Sequence, residues 1–275
     1  MNWWAKLSAT ISMIIFLTAI TTPSRLLNNQ NLSSAAPAVS KSFTLFYNGV
    51  EITTQSTILI DGYTYIPLQI LIDQITNFNI KLDRGNNHCT ITSDKYVIDI
   101  TFDSPRVLVD GVELMLKSSV RLIDQKAYVS LEFIRDVLGC SVIEFQPSDA
   151  ILIFSKPLIN GDAGENKLLN CKLQEYLTTN LYSLPENYSA LHKKFAQIIH
   201  PGDIEIFCQN LLDAISTPTS WGAVEFVESG IVARTTDAAV VYYKVKYNDG
   251  FSEDTIEGLW GLQKYNSNWY LRWSQ

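Results

Sequence analysis

DGYTYIPLQILID, residues 61–73, reads as a strand that runs through a tight turn into a short helix, and DQKAYVSLEFIRD, residues 124–136, reads the same way. Asp61, Tyr65, Leu68 and Asp73 recur as Asp124, Tyr128, Leu131 and Asp136, so the shift is sixty-three positions. In the first stretch Leu68, Leu71, Ile72 and Ile75 fall at i, i+3, i+4 and i+7. Leu131, Ile134, Val137 and Leu138 fall at i, i+3, i+6 and i+7 in the second, and either spacing keeps to one helical face. Pro67 suits the first turn of its helix because its missing N–H has no intrahelical partner there. Ser130, at the matching place, is a capping residue, and Gly139 a helix stop.

The likeness extends outward. FYNGVEI (46–52) is matched by LVDGVEL (108–114), each with a polar-Gly hairpin turn between strand-like runs. Beyond the helices come FNIKLD (78–83) and CTITS (89–93), then SVIEFQ (141–146) and AILIFS (150–155), with YVIDITFD (96–103) carrying the chain between the two. The fold class expected is therefore α+β, a duplicated small strand-helix-strand module over 42–156 with repeats at about 43–93 and 106–156. One such unit leaves too much surface exposed to be stable alone, and two can share a core.

These residues resemble the copper amine oxidase N-terminal-like (stalk) domain, a small α+β module found in paired units in exported proteins of Gram-positive bacteria. The first unit keeps Gly49, Gly62, Thr64, Tyr65, Pro67 and Leu68 of its pattern, and the second keeps Gly111, Tyr128, Leu131, Leu138 and Gly139. The pattern's Arg after Pro-Leu is Gln69 here and Glu132 in the second unit, and its V-x-W-D ending becomes IKLD and IEFQ. The resemblance implies a non-catalytic module. A mononuclear copper site commonly takes three imidazoles. The chain has only His88, His192 and His200, the first in a different domain from the others. No cofactor or metal is expected, nor any catalytic residue.

The rest of the chain frames this module. MNWWAK followed by the apolar run LSATISMIIFLTAI (7–20) has secretory signal character, and the Ser/Asn/Ala/Pro-rich stretch to residue 38 reads as a tether. Residues 1–38 are accordingly expected to be a signal peptide or uncleaved anchor plus tether. The protein is expected to be secreted or at the cell surface, touching membrane only through that segment. The net charge of −7 without a basic stripe argues against nucleic acid as a partner. The four cysteines show no zinc spacing. Export permits disulfides, with Cys89–Cys140 and Cys171–Cys208 the economical pairing, and buried free thiols the alternative.

SKPLINGDAGENK (155–167) reads as a linker spanning 157–167. Helical patterns follow at 168–184, 186–199 and from Asp203, a candidate cap. Strands are expected at 221–235, 237–250, 255–266 and 268–273, and FSEDTIE (251–257) as a solvated turn. Helices before a strand meander imply an α+β domain over 168–275. Its ending, GLWGLQKYNSNWYLRW, is similar to the last hairpin of nuclear transport factor two-like (cystatin-like) domains. That resemblance implies a cone with a curved antiparallel sheet. Strand parity puts Val241, Tyr243, Val245 and Tyr247 on one face, and Tyr243 with Trp269 are the candidate pocket-lining residues. His192 and His200 are expected to be exposed helix residues. The function expected is an exported, non-catalytic envelope protein contacting a wall polymer or envelope protein. The alternatives are a cone domain that binds or transforms a small apolar molecule, and an adaptor oligomerising through open sheet edges.

Overall fold

A computed structural model of the chain describes residues 39–41, 43–52, 57–74, 78–83, 85–179, 184–215, 223–248 and 252–273. The expected signal and tether (1–38), Ile75 and Trp221 lie outside them. The chain is α+β with mostly antiparallel sheets, and it divides into two compact units, Ala36–Ile159 and the part from Asn160 to Gln275. Among the described residues no helix is long and apolar enough to cross a membrane.

In the first unit the strands are β1 (Val39–Lys41), β2 (Thr44–Tyr47), β3 (Val50–Ile52), β4 (Thr57–Ile60), β5 (Tyr63–Pro67), β6 (Asn79–Asp83), β7 (His88–Thr92) and β8 (Val97–Thr101). They continue with β9 (Arg106–Val109), β10 (Val112–Met115), β11 (Arg121–Ile123), β12 (Lys126–Ser130), β13 (Ser141–Phe145) and β14 (Ala150–Phe154). Helix α1 (Leu68–Gln74) follows β5, and α2 (Leu131–Asp136) follows β12. The order hairpin, hairpin, helix, hairpin thus runs from β2 to β7 and again from β9 to β14.

The hairpin turns form where the polar-Gly pairs stand. Asn48-Gly49, Asp61-Gly62 and Asp110-Gly111 all have positive φ at both residues, the geometry that matches the twist of the flanking strands. Asp124-Gln125 makes the same turn, but with a side chain at φ 65° where its counterpart is Gly62 at φ 81°. Helix α2 starts on Ser130, whose hydroxyl accepts from Phe133 N at 3.2 Å. It stops at Gly139 (φ 69°), with Cys140 N donating to Ile134 O.

Three sheets weave the two halves together, in the orders β1-β4-β5-β12-β11, β10-β9-β8-β7-β6 and β13-β14-β2-β3. Each takes one hairpin from each half. The central join is antiparallel, with Tyr65 opposite Ser130, Ile66 opposite Val129 and Pro67 opposite Tyr128. Under the sixty-three-position shift this register maps onto itself, with Ile66 and Val129 at its centre. The other joins differ, since β14 pairs directly and in parallel with β2 whereas β8 intervenes between β7 and β9. A single apolar cluster gathers Leu45, Ile66, Leu71, Ile91, Ile98, Ile100, Val107, Val129, Phe133, Ile134, Ile151 and Ile153, all fully buried, from both halves.

The two residues that stand in place of the pattern's Arg have local partners. Gln69 donates to Asp73 Oδ1 along α1 at 2.7 Å. The Glu132 carboxylate accepts from the backbone N–H of Lys117 (2.9 Å to Oε2) and of Ser118 (3.3 Å), pinning the loop between β10 and β11 to the start of α2.

All four cysteines are free, so the suggested disulfide pairings are not made. Cys89, Cys140 and Cys208 are buried thiols pushed up to about 11 by burial, and Cys171 is exposed.

The second unit begins earlier than the linker reading allowed. Helix α3 spans Ala163–Leu177, with Asp162 as its cap accepting from Glu165 N at 2.9 Å. The sequence D-x-x-E at 162–165 is a capping pattern, and it outweighs the linker-like Gly and charge content. Helix α4 is Tyr188–Phe195, capped by Asn187, and α5 is Ile204–Ile215. Strands β15 (Ala223–Arg234), β16 (Ala238–Asn248), β17 (Glu253–Tyr265) and β18 (Asn268–Leu271) form one antiparallel sheet in sequence order. Register shifts at Phe226/Glu228 and Ile231/Ala233 mark β15 as irregular, a feature that bends a strand. Glu253–Glu257 lies in β17 and not in a turn, and Lys244 and Lys246 of β16 pair with Glu257 and Glu253. His200 sits between α4 and α5, not on a helix. It is partly buried beside Tyr265, with ring centroids 5.4 Å apart.

Two stability outcomes follow from this unit-by-unit geometry. Gln125→Gly should stabilise the protein by about 0.5–1 kcal/mol, because it removes a side chain from the left-handed region. A lower denaturation midpoint in urea would contradict that account. Glu132→Ala should cost about 1.5–3 kcal/mol, the worth of charge-assisted bonds to backbone N–H groups. Hydrogen exchange at Lys117 and Ser118 should quicken with it, and unchanged protection there would refute the clamp.

Candidate functional site

The faces of β16 follow strand parity. Val241 and Val245 are buried, and Val241 and Tyr243 belong to the apolar cluster shared by the sheet and helices α3–α5. Val240 is fully buried as well, although it points to the opposite face. The two proposed lining residues, Tyr243 and Trp269, enter the same cluster at different depths. Trp269 is 1% exposed, and its indole N–H donates to Glu165 Oε1 at 2.7 Å. Tyr243 is half-buried and stands over Gly258, its cross-strand partner, where a Cβ would lie 2.7 Å from the phenol oxygen.

The centre of the aromatic face is Trp260, which sequence reasoning did not single out. Its ring meets Tyr176 of α3 edge-on at 4.7 Å, Trp273 at 6.1 Å and Tyr243 at 6.3 Å, and its N–H donates to Arg272 O at 2.9 Å. Phe207 of α5 closes the set, 5.3 Å from Trp273. Burial holds the Tyr176 phenol well above the usual tyrosine range, so it stays protonated and acts as an apolar body with a hydroxyl tip. The Gly258-x-Trp260 alternation on β17 was the available signal: a glycine makes room for the ring opposite, and the tryptophan two residues on covers it.

Two charged clusters fix the elements that carry these rings. Glu165, in the first turn of α3, receives Lys264 Nζ (2.8 Å), the Arg234 guanidinium and the Trp269 indole. Arg234 is 3% exposed, and Asn166 Oδ1 takes a second of its N–H groups at 2.9 Å. The guanidinium also lies 5.5 Å from the centroid of Trp269. The hydrogen bond from Lys264, then those from Arg234 and Trp269, bring the Glu165 carboxyl down to about 2. Asp203, the expected cap of α5, instead gives both oxygens to Arg272 at 2.7 and 3.0 Å and accepts Trp273 N at 2.9 Å. One cluster therefore ties the N-terminus of α3 to the sheet, and the other ties that of α5 to the residues just after β18. Among the described residues no three His, Cys, Asp or Glu side chains gather as a metal site.

Residues 46–148 match the family model of the copper amine oxidase N-terminal domain. That is under half of the chain. No curated protein matches it. A solved structure described as an "Ntf2 like protein involved in plasmid conjugation" shares 7% identity. The match covers 86% of this chain and 74% of that one at a TM-score of 0.27, a superposition too loose to define a common fold.

The depressed Glu165 carboxyl sets a pH dependence. Its folded-state value lies below the ordinary 4.5, so the ionised form stabilises the fold at neutral pH. That contribution is lost as pH falls from about 4.5 toward about 2. Glu165→Gln should cost about 3 kcal/mol at pH 7, because it weakens the pairing of a buried guanidinium. It should also flatten the acid limb of the urea-stability curve. An acid limb as steep as in the unsubstituted protein would assign the effect to other carboxylates.

Proposed function

We propose that this is an exported, non-catalytic cell-envelope protein in which a duplicated stalk-like module contacts a wall polymer or an envelope protein and carries a second α+β domain of the cystatin-like cone type. The observation that carries the reading is the use made of the strongest charged groups. Glu165, Arg234, Asp203 and Arg272 are bonded to one another and to backbone or indole groups of the scaffold. An acid or base poised for catalysis has a value shifted toward neutrality, and the Glu165 carboxyl is shifted away from it.

Duplication is supported by the element order and by the self-mapping register at Ile66 and Val129, and the stalk-like reading by the family match over residues 46–148. Export is supported by the apolar run at 7–20 and the polar stretch after it. The aromatic face around Trp260 favours a second reading, in which the C-terminal unit binds a small apolar molecule against Tyr243 and Trp260.

Expression of the full chain in a Gram-positive host, followed by fractionation and binding to purified cell wall, separates these readings. The proposal expects envelope recovery and retention on the wall. Recovery from the cytosol with no retention would defeat it. A stoichiometric apolar adduct in native mass spectrometry, lost in Tyr243→Ala, would establish the second.

A further inference from the structure

The outer face of the β10-β9-β8-β7-β6 sheet carries a shallow depression of about 260 Å³ lined by His88, Asp99, Thr101, Arg106 and Leu108. The ladder builds it. His88 pairs with Thr101 and Asp99 with Leu108, and Arg106 precedes Leu108 by two positions, so all five point to one side of the pleat. The opposite side is Cys89, Ile98, Ile100 and Val107, each fully buried, which gives the depression a rigid backing.

Its polar groups are partly committed and partly open. Asp99 Oδ1 accepts from Thr90 Oγ1 at 2.9 Å and lies 3.7 Å from His88 Nε2, while Oδ2 has no partner among the described residues. Arg106 Nε lies 2.9 Å from Glu113 Oε2, and its two terminal nitrogens have no protein partner among the described residues. An open carboxylate oxygen, a guanidinium, a hydroxyl and an imidazole therefore converge beside one aliphatic side chain.

We propose that this depression binds one ring of a neutral, hydroxyl-bearing glycan. Adjacent sugar hydroxyls offer both a donor and an acceptor. Asp99 takes the O–H groups, Arg106 donates to the oxygens, and Leu108 with the His88 ring covers the C–H face. Two carboxylates, Asp99 and Glu113, stand beside the single guanidinium, so a phosphate or polyanion is repelled. One aliphatic side chain is too little for an apolar ligand. The volume falls below the roughly 300–1,000 Å³ of sites that enclose a drug-sized molecule, which suits one residue of a longer chain passing over the sheet. The inference rests on the envelope reading only for where such a glycan is met.

The test is a titration of the full protein with N-acetylglucosamine tetramer, followed by proton NMR of the histidine rings. The chain has three histidines, and the His88 signal is the one missing in His88→Gln. The expected result is a saturable shift of the His88 resonances with those of His192 and His200 unmoved, and affinity at least tenfold weaker in Arg106→Ala and Asp99→Asn. An unmoved or non-saturating His88 signal overturns the site, as does equal affinity in variants whose far-ultraviolet spectrum and denaturation midpoint are unchanged. Wall retention is scored separately. A shifted His88 in a protein recovered from the cytosol and not retained on the wall keeps the site and removes the envelope reading, and envelope recovery with retention but no shift does the reverse.

Discussion

Ile66 faces Val129 across the middle of a five-stranded sheet, and both side chains are fully buried. That antiparallel contact is where the two halves of the first unit meet on equal terms. Every residue of β5 that pairs with β12 has its sixty-three-position counterpart paired in return. The helices that follow the two strands then insert Leu71 and Ile134 into the same interior. The buried apolar residues of the two halves form one cluster, so the interior is shared across this join.

The symmetry is incomplete in an instructive way. Hairpin β2–β3 lies directly against β14, but its counterpart β9–β10 lies against β8, one strand further out. The consequence is visible in side chains of nearly the same sequence. Val50 and Ile52 are half-buried, whereas Val112 is 65% exposed and Leu114 36%. Similar strands thus end up with different surroundings because the chain that links the halves occupies a place in one sheet and has no equivalent in another.

Much of this was legible in the sequence because it is local. Asn48-Gly49, Asp61-Gly62 and Asp110-Gly111 announce turns that need positive φ at two residues, and Ser130 and Gly139 bracket a helix by their own chemistry. What could not be read is long-range. Asp203 looked like a cap because a carboxylate before a helix usually is one, yet Arg272 claims it from sixty-nine positions away. The linker reading of 157–167 failed on a local signal that was present, the Asp162/Glu165 pair. In the aromatic face Tyr243 packs against the cluster shared with the helices, and Trp260 as its centre depends on α3 bringing Tyr176 to it.

The parallel pairing of β2 with β14 joins the first and last long-range partners of the unit, and Asn48 reinforces it by accepting from Ser155 N at 2.9 Å. A ribosome releasing this chain from its N-terminus exposes β2 about a hundred residues before the strand that completes its sheet. Non-local closures of this kind slow folding. The nascent module therefore stays open until residue 154 has emerged.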